Sequence, residues 1–318
     1  MRPLRLSEHG LEPVAVEDLP RLLADGSSRL WVDITGPEAS HLEVMERLFR
    51  FHPLAIEDTR NQRQRPKAEE YDDHLFLILN PATAGLEADE TFRELDVFVA
   101  ARLLVTVHPG DEPVIADAER RLSRWGNGAE PSVGHLLYVL LDSVVDTYFP
   151  LLDAIDADLS EVEDEVLAEP QPDLLARLVA LKRKLVDIRR VVAPQREMLH
   201  VLLRQDQPLL DAAALRYQFR DVYDHLLRVT DAADTFRDLL TSLVDLYMSS
   251  VSNRLNRVVN RLTRVTVVIG ALAVVTGFYG MNFERTWPPF GTPWGTGFAL
   301  LAMAGVAGLL LRIFRRDR

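Results

Sequence analysis

The chain has 318 residues, enough to bury one large core or two modest ones, and it carries a net charge of −12. It contains no cysteine, which excludes disulfide scaffolds, thiolate metal sites and thiol nucleophiles. The acidic balance argues against nucleic acid as a partner, because phosphate contacts need clustered Lys and Arg, and it suits cations. The stretch Met1 to Val14 is interrupted by Glu8 and Glu12 and has no apolar run of signal-peptide length, so export on a cleaved signal is not expected.

Short apolar runs bounded by turn residues predict strands at Arg29 to Ile34, His74 to Leu79, Leu95 to Ala100 and Leu103 to Val107, with helices near Ala39 to Phe51 and Val114 to Trp125. Residues 1–130 are therefore expected to form an α+β domain. Beyond Pro131 the pattern is helical, with breaks expected at Pro170, Pro172, Pro194 and Pro208. The eight histidines lack H-E-x-x-H spacing, and no Walker loop or G-x-G-x-x-G occurs, so no enzyme and no organic cofactor are expected. His108 and His225 read as structural or surface residues.

From Asp211 to Ile269 there is neither Gly nor Pro, and the helical pattern continues into an uncharged segment, Val265 to Met281. A single helix over 211–281 would be roughly 100 Å long at 1.5 Å per residue. Apolar residues from Leu215 through Phe219, Val222, Leu226, Val229, Ala233, Phe236, Leu240, Leu243 and Tyr247 alternate in steps of four and three, as a heptad seam requires. Through Val251, Leu255, Val258 and Leu262 an extra step of four enters, which unwinds a left-handed supercoil locally. Residues 131–264 thus read as a helical domain that includes most of this stalk.

The segments 265–282 and 294–312 are each apolar enough to cross a bilayer when a flanking turn is added. Arg257, Arg261 and Arg264 precede the first, while Arg312, Arg315, Arg316 and Arg318 follow the second, in a basic tail over 313–318. The connection 283–293 carries only Glu284 and Arg285, so the positive-inside rule puts both termini in the cytoplasm and this loop outside. Phe278, Tyr279, Trp287 and Trp294 gather at the outer end, where aromatic rings favour the headgroup level. Two helices cannot enclose a pore, so transport would need several copies.

At the outer end of the first span stands Tyr279-Gly280-Met281-Asn282-Phe283-Glu284. With His52-Pro53-Leu54-Ala55-Ile56-Glu57-Asp58, Asp142 to Pro150, Leu181-Lys182-Arg183, Arg220 to His225 and Ser249 to Asn256 in the same order, the sequence resembles the CorA family of magnesium transporters, whose signature is Gly-Met-Asn. The resemblance implies a homopentamer in the inner (plasma) membrane, with a funnel-shaped cytoplasmic domain, a pore-lining stalk helix and a second helix facing lipid. It implies Mg²⁺ or Co²⁺ influx; a zinc-transporting relative is the alternative within the family, and a non-conducting coiled-coil scaffold the alternative outside it.

Mg²⁺ gives up its water reluctantly, so a selective entrance must recognise the hydrated ion through oxygen ligands. A ring of Asn282 amide oxygens with the carbonyls of Gly280 and Met281 nearby would be such an entrance. Asn256, Val259, Leu262, Thr266, Gly270, Ala273, Gly277 and Gly280 recur at steps of three and four and form the expected pore stripe. Close helix packing through small residues is the competing reading. The family's regulatory Mg²⁺ is held between cytoplasmic domains of adjacent subunits, and the resemblance puts Asp221 among its ligands. Glu87 and Asp89 are the expected partners, with Asp156 at a second acidic site weakened by Ser160. Ala271 and Ala273 stand where relatives often carry a proline and a pore threonine, and Arg285-Thr286-Trp287-Pro288-Pro289 replaces an acidic outer loop.

Overall fold

The computed structural model describes residues 1–83, 91–124, 131–168, 171, 173–203, 212–281 and 293–316. Glu87, Asp89, Asn282, the expected breaks at Pro170, Pro172 and Pro208 and nearly all of the 283–293 connection lie outside the described residues. The chain divides into two compact units, Met1–Val244 and Asp245–Arg318.

In the first unit, β1 (Arg2–Ser7), β2 (Gly10–Pro13), β3 (Arg29–Thr35), β4 (Lys67–Glu70), β5 (His74–Leu79), β6 (Leu95–Ala100) and β7 (Leu103–His108) form one mixed sheet in the order β2-β1-β3-β7-β6-β5-β4. The four predicted strands are all present, two of them one residue longer than expected. Strands β1, β2 and β4 went unpredicted: β2 and β4 are the short edges of the sheet, β1 beside β2 is interrupted by Arg2 and Arg5, and Lys67-Ala68-Glu69-Glu70 has no apolar alternation to read. β3 and β7 pair in parallel from Leu30↔Leu103 to Thr35↔His108.

Both faces of the sheet are covered, which is why β5 and β7 are buried along their whole length and read as continuous apolar runs. Leu30, Val32, Ile34, Phe76, Ile78, Phe98, Val105 and Val107 meet α1 (Leu19–Asp25), α2 (Ala39–Arg47) and α3 (Pro53–Asn61) in one core. The alternate residues, among them Trp31, Leu75, Leu77, Val97 and Leu104, point the other way, and α5 (Val133–Asp146) packs along β6 and β7 beside α4 (Pro113–Ser123).

Two expectations need correction. The helix expected near Ala39 to Phe51 ends at Arg47, because Arg50 takes φ 60° and turns the chain inward. A non-glycine residue there costs about 1–3 kcal/mol. Phe51 is thereby buried and stacked on Phe98 at 4.5 Å between centroids; burial contributes about 1.5–3 kcal/mol and the ring pair about 0.5–1.5 kcal/mol more, enough to offset the strain. A new helix, α3, then starts at Pro53, capped by the His52 ring accepting from the Leu54 amide at 3.3 Å. Secondly, Pro194 breaks nothing: it lies inside α7 (Leu174–Leu202). The next residue, Gln195, is buried and donates to the Tyr148 hydroxyl, which donates to the Asn80 carbonyl at 2.8 Å, so tertiary contacts hold the helix through the proline.

Helix α6 (Tyr148–Ala168) carries the acidic run, and Arg177 of α7 reaches three of its carboxylates, Asp158 at 2.6 Å and Glu161 and Glu165 at 2.7 Å each. Helix α8 runs unbroken over Ala212–Tyr279, as expected, and α9 spans Pro293–Arg316. The heptad seam from Leu215 to Ala233 is buried within the first unit, whereas Val251, Leu255, Val258 and Leu262 are exposed.

Three helical stretches among the described residues are long and apolar enough to cross a membrane. In Val133–Ala168 the apolar window is 72% buried inside the unit, so those residues serve as core. In Leu215–Phe278 and Pro293–Phe314 none of the window is buried, and these are the two helices read from the sequence as spans.

Candidate functional site

The second unit consists of the later part of α8 and α9. Along α8, partial burial falls on Arg264, Val268, Ala271, Leu272 and Val275, and along α9 on Ala299, Ala302, Met303, Val306, Leu310 and Phe314. The Arg264 guanidinium lies over the Phe314 ring at 5.7 Å, which fixes these faces toward each other.

Asn256, Val259, Leu262, Thr266, Gly270, Ala273, Gly277 and Gly280 are all exposed. At about 100° per residue, Thr266, Gly270, Ala273 and Gly277 cluster around one direction, and Val268, Ala271, Leu272 and Val275 around the opposite one. The stripe therefore faces away from α9, and packing within the hairpin does not explain its small residues. A Cβ added at Gly270 or Gly277 would meet nothing within 4 Å, so neither glycine is demanded by this chain's own contacts. Gly280 differs, because its amide donates to the Thr276 carbonyl at 2.9 Å and a Cβ there would come 3.2 Å from that oxygen. Gly280 thus closes the helix, and Met281, whose amide points to the Phe278 carbonyl at 3.4 Å, is exposed.

In the first unit, Asp221 does not stand alone. Its carboxylate, that of Asp142 from α5 and the His225 ring offer one ligand atom each, all within 4.8 Å of one another. His225 Nε2 is 3.8 Å from Asp221 Oδ1, and Nδ1 is 3.8 Å from Asp142 Oδ1. Asp142 Oδ1 and His225 Nδ1 are both buried without a hydrogen-bond partner, so the fold leaves two acceptor-capable atoms aimed at one spot. Asp221 is exposed, so the group opens to water.

Arg121 of α4 keeps this acidic pocket folded. It bonds the other oxygen of Asp142 and lies 3.7 Å from both Asp117 and Asp146. Burial, then the charge of Asp142, pushes the Asp146 carboxyl above its usual range. Burial works against the charge of Asp117 as well, but hydrogen bonds from Arg120 and Ser143 outweigh it and hold that carboxyl low. The two carboxylates with water suit a hard divalent cation, whereas the imidazole beside them is a ligand for softer ions such as Zn²⁺ or Ni²⁺.

Sequence reasoning named Asp221 but passed over Asp142 and assigned His225 no role at the site. The signal was present: residues 221 and 225 are four apart on a helix and share a face, and Asp142 opens the segment already quoted for the resemblance. Asp156 is exposed on α6 and joins no group of three metal-ligating side chains among the described residues.

A sequence profile described as "CorA-like Mg2+ transporter protein" matches residues 26–316. The Cobalt/magnesium transport protein CorA of Thermotoga maritima is 34% identical over 299 residues, 92% of this chain and 84% of that protein. The solved structure of the CorA magnesium transporter from Methanocaldococcus jannaschii superimposes with a TM-score of 0.83 at 23% identity, covering 100% of this chain and 98% of the other. The ZntB cytoplasmic domain from Vibrio parahaemolyticus shares the fold at a TM-score of 0.65 and 15% identity, covering 80% of this chain and 98% of that one. The fold of the whole chain agrees with the Methanocaldococcus jannaschii structure, and the sequence matches show that the chain belongs to the CorA-like Mg²⁺ transporter family.

Proposed function

We propose that this chain is one subunit of a homopentameric plasma-membrane channel that admits Mg²⁺ or Co²⁺, with both termini in the cytoplasm. The observation that carries this reading is the stripe from Asn256 to Gly280: small or weakly polar over its outer half, apolar at Val259 and Leu262, and turned away from α9. When α8 helices surround an axis with this stripe inward, the outer half leaves room for a hydrated ion and the apolar belt opposes passage by excluding water. Asn282, next after the turn at Gly280 and Met281, supplies the uncharged oxygen collar at the entrance. The named relative from Thermotoga maritima supports cobalt and magnesium as the ions.

Cytosolic Mg²⁺ regulates the pore through Asp221. The ion bridges the carboxylates of Asp221 and Asp142 of one subunit, with His225 beside them, to Glu87 and Asp89 of its neighbour and so favours the closed ring. Such a ligand acts only if it binds the closed state more tightly. Loss of Mg²⁺ restores repulsion among these carboxylates and opens the channel.

The test is reconstitution in liposomes holding a Mg²⁺-sensitive dye. Uptake under an inward Mg²⁺ gradient, reduced by Mg²⁺ on the cytoplasmic side, is the expected result. Absence of uptake from a purified, folded protein would overturn the reading in favour of a membrane-anchored scaffold.

A further inference from the structure

The charge of the chain is divided unequally. Residues 245–318 contain nine arginines against Asp245, Glu284 and Asp317, a balance of +6, so residues 1–244 carry −18 of the total −12. From Leu246 to Met281 and from Pro293 to Arg316 there is no acidic residue at all.

Position on the helix decides what these arginines can reach. Arg254, Arg257, Arg261 and Arg264 follow one another at steps of three, four and three, then Val268, Ala271 and Val275 continue the same row. The arginines therefore lie on the side of α8 that faces α9, opposite Asn256, Val259 and Leu262. A cation in the proposed pore does not meet them. Arg257 and Arg261 are exposed, and Arg264, half-buried over the Phe314 ring, carries five N–H donors that the ring does not consume.

The row enters the apolar span directly at Val265, so one end of it sits at the boundary of the hydrocarbon. Arg257 lies about 10 Å below Arg264 along the axis, a depth that covers the headgroup layer and the water just beneath it. Planar guanidinium forks pair with phosphate in two parallel hydrogen bonds, and long stems allow the charge to reach the interface.

We propose that Arg257, Arg261 and Arg264 form a binding surface for anionic phospholipid headgroups of the cytoplasmic leaflet. The occupant is a lipid because the basic row is flanked by bare apolar side chains, Val265 and Ile269, which a soluble phosphate or a nucleic acid would leave exposed. Basic residues just outside a span gain from the negative potential of that leaflet, and the gain is screened by salt. The inference rests on the membrane reading of α8 and α9 and not on conduction.

The test is native mass spectrometry of the full-length protein in detergent, titrated with phosphatidylglycerol or phosphatidylcholine. The expected result is retention of phosphatidylglycerol at severalfold lower concentration than phosphatidylcholine, with the difference lost at high salt. Arg257→Gln/Arg261→Gln, which keeps the Arg264 contact with Phe314, should erase most of that preference; adding Arg264→Gln should erase the rest. Equal retention of both lipids by the wild type, or a preference unchanged in the double variant, overturns the proposal, as does competition by inorganic phosphate alone as effective as the lipid. Mg²⁺ uptake by the same preparations in phosphatidylcholine liposomes separates a failure of conduction from a failure of lipid binding.

Discussion

His225 on α8 stands between two carboxylates, with Asp221 Oδ1 3.8 Å from one ring nitrogen and the buried Asp142 Oδ1 3.8 Å from the other. If this group holds regulatory Mg²⁺, Asp142→Asn and His225→Ala should raise the Mg²⁺ concentration needed for protection from proteolysis by about tenfold or more. Asp156→Asn, at an exposed position of α6, should shift it by less than about twofold. Limited proteolysis across a Mg²⁺ titration reads both, and equal shifts would move the site away from α8.

A second buried pair serves the fold. Asp33 Oδ1 accepts from Thr106 Oγ1 at 2.6 Å and from His108 Nε2 at 3.0 Å, at the ends of the parallel strands β3 and β7. Burial opposes both charges. The hydrogen bonds from His108 and Thr106 nevertheless hold the Asp33 carboxyl below its ordinary 3.8, and the bond to Asp33 holds the His108 imidazole above its ordinary 6.5. The Asp33 contribution is complete above its unfolded value and lost as pH falls through the lower folded one. The His108 contribution is complete below its unfolded value and lost as pH rises through the higher folded one. The pair therefore stabilises fully between 3.8 and 6.5 and fades on either side. His108→Gln should cost about 3 kcal/mol at about pH 5–6 and progressively less above that range, measured as thermal unfolding of the full-length protein in detergent.

Asp96 follows the opposite logic. Burial, then the charge of Glu94, holds its carboxyl well above the usual range, and Asp96 Oδ1 and Glu94 Oε1 both lack a donor among the described residues. A proton on Asp96 shared with Glu94 satisfies both. A raised folded value means that stability falls as pH climbs above the unfolded value of 3.8. Asp96→Asn, which keeps a donor without the titration, should stabilise the protein at neutral pH by roughly 1 kcal/mol or more and flatten the pH dependence of unfolding.

Steric change on α8 should depend on the face. Ala273→Phe, on the exposed stripe, should abolish most Mg²⁺ uptake while the protein still assembles. Leu272→Phe, on the side facing α9, should retain most of it. Liposome flux with native mass measured on the same samples compares the two.

The strands of the sheet centre, the stalk helix and the two spans were legible because each has a strong period: continuous apolar runs for doubly covered strands, heptad steps for α8, uncharged stretches for the hairpin. The edge strands were not, since β4 has no apolar period at all. Arg50 was missed because its left-handed turn is set by where Phe51 is buried, a tertiary effect with no local signature. Pro194 misled for a similar reason, as contacts of Gln195 with Tyr148 outweigh a lost backbone hydrogen bond. At the candidate site, the expectation for Asp221 came from the resemblance, while Asp142 lies 79 positions earlier and is brought beside it only by the fold.

The absence of native cysteine makes one measurement direct. Single cysteines at Thr266, Ala273 and Gly277, and at Val268, Ala271 and Val275, can be challenged in liposomes with a charged, membrane-impermeant thiol reagent while Mg²⁺ uptake is followed. Modification of the first three with loss of uptake, and protection of the second three, is the predicted pattern. Protection of the first three, or block from the face toward α9 instead, would contradict a conduit lined by this stripe.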